Sequence, residues 1–519
     1  MGRGRSKQRP YRLCRAQQAA PLHMLGNLLI SGLSGHLNSI LLDSILMKNK
    51  LIRSLISILY TFIATLGLGV MAVLPGYAAD VARQDQAVIT PAPPALPVEP
   101  TPKMSADQLL TEVQHRAFRF FWEKTDPKTG LTNDRAHNRG TEDDYTVASI
   151  ASTGYMLSAL PIAVEHKWIA KQEAYDRALV SLRFLHDKVP NVHGWYYHFL
   201  DKRTGERVWN CELSSIDTSL LVAGALTAAQ YWKKTEVAQL GNALYDGLDW
   251  TWMRTNGGAA PDKKTLSMGW KPEGGFLTSN WDRYCELMLI YLLGLGAKDN
   301  PVPVSSWDAW ERNVVTYAGR ETLAGGPIFM HQMPQGYYNF KSQRDDQGWD
   351  YWISSQQAME INRQFCIDHI GKRKTYTPDI WGLNANDYPD GYTAFGAPGE
   401  EDGTVSPTGA IASILFTPDI AKRAGSAMYA QYGDRTWGRY GFSNAFNVDR
   451  NWYDPDVIGI DLGMAMLAIE NYRTGMIWKL IGTHPATKRA WKQAGFHSTE
   501  EPEPRPLQLP SVASPQTEN

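Results

Sequence analysis

Cysteine is scarce in this sequence. There are four in 519 residues, Cys14, Cys211, Cys285 and Cys366. None forms a Cys-x-x-Cys pair, which argues against a zinc ribbon or a dithiol redox centre. With Cys14 set aside as part of the upstream stretch discussed below, the other three fit buried free thiols, or one disulfide and one thiol. An excess of charge of one sign is missing as well. The 52 basic and 53 acidic residues leave a formal net charge of -1, so nothing calls for nucleic acid or an anionic membrane as partner. No phosphate-binding loop is present, no Gly-x-Gly-x-x-Gly opens a helix after a strand, and no His-Glu-x-x-His or Gly-x-Ser-x-Gly occurs. Nucleotide, zinc-peptidase and serine-hydrolase chemistry thus lack their usual motifs. No repeat of fixed period is found.

Aromatic residues, by contrast, are abundant. Many of the 18 Trp and 24 Tyr stand beside Gly, Asp and Asn in polar stretches. Aromatics in a helical stripe fill a core. In polar loops they more often line a surface, and their flat faces suit the apolar faces of sugars.

The chain divides by composition. Residues 47–79 run from the basic Met47-Lys48-Asn49-Lys50 through an apolar stretch, Ser54 to Leu74, to the small residues Ala78 and Ala79. This order is that of a secretory signal peptide. The apolar run is also long enough for a permanent anchor, but the small residues and the linker behind it favour cleavage. Residues 1–46 resemble no targeting segment and read as an upstream extension, with translation starting at Met47. Residues 80–103 form a Pro- and Ala-rich linker, and 496–519 a Pro-rich disordered tail. The folded unit is then 104–495, in the periplasm or secreted, free of the membrane after cleavage.

Within that unit, Ser105-Ala106-Asp107-Gln108 has a capping-box pattern, followed by apolar residues at helical spacing. Further helices are predicted at about 145–165, 173–189, 213–232, 234–254, 281–296, 305–317, 347–369, 404–414, 417–431 and 456–478. Strand patterns are few; Trp195 to Phe199 is a possible hairpin arm. Several helices are rich in small residues, as in Ala148 to Gly154 and Ala223-Gly224-Ala225. Polar and aromatic clusters precede them. Alternating inner and outer helices would gather those clusters on one rim, the logic of an all-α (α/α)6 toroid with long rim loops. A plain bundle or solenoid is the simpler alternative.

Carboxylates among aromatics are the equipment of glycoside hydrolysis. One carboxylic acid protonates the leaving oxygen, and a second carboxylate activates water or attacks the sugar. Glu212 is the leading candidate acid. It precedes a small-residue helix, and Trp209 and Leu213 could desolvate it and raise its pKa. It could equally be a first-turn acid favoured by the helix dipole. Asp402 is the second catalytic candidate, in the acidic loop Gly399 to Pro407, where a helix cap is the plainer reading. Glu142, Asp143 and Asp144 form a third group, with Glu142 and Asp144 as further catalytic candidates and Asp143 as a binding group. Asp134 beside Arg135, Asp217 in the first turn after Glu212, and Glu286 add polar binding candidates. The ring and amide set expected to contact ligand is Trp270, Trp281, Tyr284, His331, Gln332, Trp381, Tyr392, Phe395, Trp437, Tyr440 and Trp452. Any one of these could instead be core.

Taken together, several blocks resemble a known family. They are Glu212-Leu-Ser-Ser-Ile-Asp217, Asn362 to Asp368, Trp381 to Asp387 with Gly391-Tyr392, Asp402-Gly-Thr-Val405, Tyr432 to Phe442, and Trp452 to Asp461. In order and over 104–480 they are similar to the glycoamylase-like domain of glycoside hydrolase family 144. The resemblance implies an (α/α)6 fold and an exported endo-β-1,2-glucanase. It also implies an inverting mechanism without metal. No cofactor is expected, and the expected partner is the polysaccharide, a β-1,2-glucan, acted on by a monomer. It assigns the acid to Glu212 and a base-side carboxylate to Asp402, and matches Asp134-Arg135. The acidic run 142–144 departs from the family pattern. An exo-acting enzyme releasing sophorose and a non-catalytic glucan-binding protein are the alternatives.

Overall fold

The computed structural model of the protein describes residues 103–140, 143–260, 264–324 and 326–499. The segments 1–46 and 47–79, nearly all of the linker, Cys14, Glu142 and the tail beyond Thr499 therefore lie outside the described residues. Within them there are thirteen α-helices, and no helix is long and apolar enough to cross a membrane.

The helices fall into two kinds, and side-chain size explains both. Six are buried along most or all of their length: α2 (Ile150–Glu165), α4 (Ser215–Tyr231), α6 (Met288–Gly296), α7 (Phe329–Tyr337), α9 (Pro407–Ala412) and α11 (Gly459–Arg473). A helix apolar or small on all sides must be surrounded by protein. Four longer helices bury one stripe and show the other to water: α1 (Ala106–Glu123), α3 (Lys171–Asp187), α8 (Tyr351–Asp368) and α10 (Pro418–Thr436). The shorter α5 (Glu236–Asp246) does the same. Two further helices, α12 (Met476–Thr483) and α13 (Pro485–Gln493), complete the set. Up to α11, most buried helices alternate along the chain with amphipathic ones.

Small residues set how closely the inner helices pack. At the α2–α4 crossing, a methyl group on Gly224 would overlap the carbonyl of Gly154, and one on Gly154 would overlap the backbone of Leu220. Gly463 lies in the same way against the Tyr155 ring. The helix starts are capped as the sequence suggests. Ser105 forms a capping box with Gln108, and the side chains of Ser149, Ser214, Asp350 and Ser406 accept from backbone N–H groups in the first turn.

Short ribbons of two or three strands hold the segments that lead into three of the buried helices. Val147–Ser149, just before α2, pairs with Phe199–Asp201. Leu213–Ser214, just before α4, pairs with Gly269–Lys271. Asp456–Ile458, just before α11, pairs with Arg135–His137. Some of the predicted elements differ in the structure. The helix expected at 305–317 is instead a 3-10 turn, Val304–Ser306, followed by the strand Val314–Tyr317, which pairs with Arg320–Leu323. The helix expected at 456–478 is divided by Gly475, whose φ of 65° is left-handed. α7 was not expected, because its His331, Gln332, Gln335 and Pro334 hide an entirely buried helix. Cys211, Cys285 and Cys366 are buried free thiols.

Candidate functional site

The starts of three buried helices are tied together by a chain of backbone hydrogen bonds. Gly459 N–H donates to the Asp134 carbonyl at 2.8 Å, and Asp134 N–H to Val147 at 3.0 Å. Ile150 N–H donates to the His198 carbonyl at 3.2 Å, and His198 N–H to Glu212 at 2.9 Å. Thus α11, α2 and α4 begin side by side, with Asp134 and His198 wedged between them. Two clusters of ionisable side chains grow from these two residues.

The first cluster surrounds His198, which is buried. Its Nδ1 lies 3.1 Å from Glu212 Oε1 and its Nε2 3.5 Å from Asp217 Oδ1. Asp217, in the first turn of α4, also accepts from the Ser214 hydroxyl. Burial alone would lower the His198 pKa. The charge of Asp217 and the hydrogen bond to Glu212 outweigh it and raise the imidazole to about 9. Burial pushes the Glu212 carboxyl up, but the hydrogen bond and charge of His198 bring it below its ordinary value. This corrects the expectation that Trp209 and Leu213 raise it. Trp209 is in fact among the exposed large apolar side chains, at 49%. It stands edge-on to Phe199 at 5.2 Å. Asp217 is raised, chiefly by burial. Gly269 gives Glu212 room, since a methyl group there would come within 2.9 Å of its Cγ.

The second cluster surrounds Arg135. Its guanidinium lies 3.3 Å from Asp134, 2.9 Å from Asp387 and 3.6 Å from Asp456. Asp456 is also 3.2 Å from the Tyr145 hydroxyl and 3.5 Å from His137. Asn444 bridges outward: its Oδ1 accepts from Asp387 N–H and its Nδ2 donates to Asp461 at 2.6 Å. Burial, with the charges of Asp387 and Asp134 behind it, pushes Asp461 up to about 7 against that hydrogen bond. Asp454 is raised well above the carboxylate range by burial and then by Asp387. The two clusters are neighbours across Asp134, whose charge acts on His198 and Asp217 on one side and on Asp461 and Tyr392 on the other. Glu286, at the entry to α6, feels Asp217 and is pushed by burial to about 7.

Six of the expected polar residues therefore come together: Glu212, Asp217, Glu286, Asp134, Arg135 and, through its ring, Tyr392. The other acidic candidates are placed differently. Asp143 is consumed within its loop, accepting from Lys124 at 2.9 Å and from the His137 and Tyr145 backbone. Asp144 is exposed. Asp402 caps its own loop through Thr404 N–H, and its Oδ2 is shielded from water with no hydrogen bond.

Most of the expected sugar-contacting rings are core instead. Trp281 is fully buried and donates to Ser215 at 2.7 Å. Tyr284 is buried against His331, its hydroxyl 2.9 Å from Nδ1. Gln332 donates to the Gly409 carbonyl at 2.8 Å. Trp381, Phe395 and Tyr440 are also buried, Tyr440 donating to Glu123. The sequence reading placed them in loops; they are buried because the inner helix starts need large rings to fill the space between them. Trp270, Tyr392, Trp437 and Trp452 are half-buried. Trp270 pairs in register with Leu213, one residue from Glu212.

The residues that the sequence reading missed are His198, Asp387, Asp454, Asp456 and Asp461. Asp387 and Asp461 close two of the blocks that carried the family resemblance, so their positions were visible but their convergence was not. Among the described residues no group of three or more His, Cys, Asp or Glu side chains is arranged to hold a metal ion.

Residues 278–485 match the Glycoamylase family, described as glucoamylase. An exo β-1,2-glucooligosaccharide sophorohydrolase (non-reducing end) from Parabacteroides distasonis is 29% identical over 429 residues, 74% of this chain and 57% of the relative. The chain thus spans little more than half the length of that curated relative. An endo-β-1,2-glucanase from Chitinophaga pinensis, solved with sophorotriose and glucose, superposes with a TM-score of 0.69 at 26% identity, over 76% of this chain and 99% of that one. A β-1,2-glucanase from Parabacteroides distasonis gives 0.70 at 26% identity, over 76% and 60%. The comparisons agree with the resemblance read from the motifs: residues 278–485 match the Glycoamylase family, and the mostly helical chain is similar to β-1,2-glucanases.

Proposed function

We propose that this chain is a glycoside hydrolase that cuts linear β-1,2-glucan internally, by inversion, and releases short β-1,2-linked gluco-oligosaccharides. The observation that carries the reading is Glu212, held by His198 at the start of α4, with the Arg135 carboxylate cluster as its neighbour across Asp134. The names of its relatives supply the substrate class. In this reading the alternating helices form an (α/α)6 toroid, and the monomer works in the periplasm or outside the cell after loss of residues 47–79.

Glu212 protonates the leaving glycosidic oxygen. Asp402, whose Oδ2 has no hydrogen-bond partner and is closed to bulk water, activates a single water admitted with the substrate, directly or through a relay, and that water attacks the anomeric carbon from the opposite face. Direct activation requires the two carboxyls to stand roughly 6.5–9.5 Å apart. Arg135, Asp387 and Asp456 bind sugar hydroxyls. An exo action releasing sophorose is the second reading, favoured by the named activity of the 29%-identical relative.

The test is to incubate the purified protein with linear β-1,2-glucan beside a Glu212→Gln control and to follow product sizes over time. Mixed oligosaccharides at early times, absent in the control, support internal cleavage. Sophorose alone from the start supports exo action. Binding without turnover by the folded wild-type protein would leave a glucan-binding protein.

A further inference from the structure

His198 is the best-defined ionisable group that the proposed reaction leaves unused. It belongs to the arm Trp195 to Phe199, and the isolated bridge between Tyr197 and Leu213 brings that arm against the entry to α4. Its backbone is fixed at both polar atoms, donating to Glu212 and accepting from Ile150. Its ring is buried and stacks on Phe199, 3.8 Å between centroids and 14° from parallel. Each ring nitrogen faces a different carboxylate, Glu212 Oε1 at 3.1 Å and Asp217 Oδ1 at 3.5 Å. A carboxylate is acceptor-only when ionised, so satisfying both requires an N–H on both nitrogens. With both carboxyls ionised, the state left after proton transfer, the ring is an imidazolium whose orientation is set from two sides, with the Ser214 hydroxyl holding Asp217 from behind.

We infer that His198 is a positioning residue for Glu212, which fixes the rotamer of that carboxyl and makes it a stronger acid by stabilising the carboxylate left after proton transfer. The inference rests on Glu212 being the proton donor. The step balances simply: the Glu212 O–H bond breaks, the leaving oxygen takes the proton, and the new negative charge on Glu212 is met by a cation already in place. A preorganised charge of this kind costs no rearrangement during the reaction.

The other charged and titratable groups facing this couple are few. Asp134 acts on both His198 and Asp217, Lys271 and Cys211 flank Glu212, and Glu286 and Tyr155 approach Asp217. Lys271 is the second cation acting on Glu212, and it is half-buried on the Gly269–Lys271 strand rather than hydrogen-bonded to the carboxyl.

The experiment compares the pH dependence of kcat on linear β-1,2-glucan for the wild type, His198→Asn and His198→Ala, with melting curves for each. An acid must be protonated to act, so the alkaline limb of kcat reports the Glu212 pKa in the complex. Without the neighbouring cation that limb moves to higher pH, by about one unit or more. Asn keeps a donor near the Nδ1 position, so it retains more of kcat than Ala. A folded variant whose limb stays in place overturns the inference. A second measurement needs no His198 variant. In 15N-histidine spectra at pH 7.5, the signal that moves on Glu212→Gln substitution is that of a doubly protonated ring; a singly protonated ring overturns the inference. A wild type that does not cleave the glucan counts against the proposed function, and the spectra still decide whether His198 and Glu212 are coupled.

Discussion

Gly154 and Gly224 meet backbone to backbone where α2 crosses α4, with no room for a methyl group on either. The contact joins the helix whose first residue, Ile150, donates to the His198 carbonyl and the helix whose start follows Glu212. Gly224→Ala must push the two helices apart, because the atoms in its way are backbone. Overpacking of this kind costs about 1–3 kcal/mol or more. The expected outcome is a clear drop in melting temperature, with loss of glucan cleavage larger than the loss of folded protein. Gly482→Ala, which faces open space, should do neither.

Arg135 is the cation among Asp134, Asp387 and Asp456. Arg135→Gln leaves those carboxylates facing one another. The side chain is one-third exposed, so solvent tempers the cost to on the order of 2 kcal/mol. Burial raises the Asp456 carboxyl and the Arg135 charge holds it down, so removing the guanidinium raises it further and the folded variant binds that proton more tightly than the unfolded chain. Its deficit relative to wild type should therefore shrink as the pH falls toward 4. Urea titrations of both proteins at pH 4.5 and 7.5 read this directly.

Glu286 is buried and pushed up to about 7 from an ordinary 4.5. Its folded-state pKa is above its unfolded value. The stability it contributes is full below about pH 4.5 and is lost as the pH rises through about 7. The size of the loss is on the order of 3 kcal/mol, from roughly 1.4 kcal/mol per unit. Glu286→Gln cannot ionise, so its stability relative to wild type should rise across that window and then level off. A flat difference between pH 4.5 and 8 would count against a protonated Glu286 in the native protein.

Trp209 is half exposed in a loop where both it and Asn210 adopt left-handed backbone, φ 56° and 48°. Such conformations in non-glycine residues carry a cost that the surrounding structure must hold in place. Here Arg207 braces the loop, donating to the Cys211 carbonyl and pairing with Glu273. Trp209→Ala removes an exposed ring and should change stability by less than about 1 kcal/mol. If the ring stacks on a glucosyl unit beside Glu212, KM for glucan rises several-fold, and glucan no longer quenches the tryptophan fluorescence of the variant as it does that of the wild type.

Much of the helical framework is legible in the sequence because it rests on local signals. Ser105 and Gln108 form the capping box their spacing suggests. The small residues around Gly154 and Gly224 do mark closely packed inner helices. The strands are another matter. Pairs as short as Leu213–Ser214 with Gly269 and Trp270 carry no alternation to detect. Position in the chain also misleads for the aromatics: Trp281 sits in a polar stretch, yet its ring is enclosed and its N–H satisfied by Ser215. Glu212 could be found because it stands at a helix start. His198 could not, because its importance comes from a ribbon that sets it against a residue fourteen positions later. Nor do Asp387 and Asp456 reveal from their neighbours that both will face Arg135, more than two hundred residues away.

The pairing of Arg135–His137 with Asp456–Ile458 has a consequence for how the protein comes to possess a site at all. The cation of the Arg135 cluster is made early in synthesis, and the last of its counter-charges, Asp456, arrives only when the ribosome has passed that residue. Until that strand docks, Arg135–His137 has no strand partner, and Asp134 lacks the hydrogen bond from Gly459 that ties α11 beside α2. A nascent chain, or a fragment ending before α11, thus holds Glu212 and His198 but no enclosure for them.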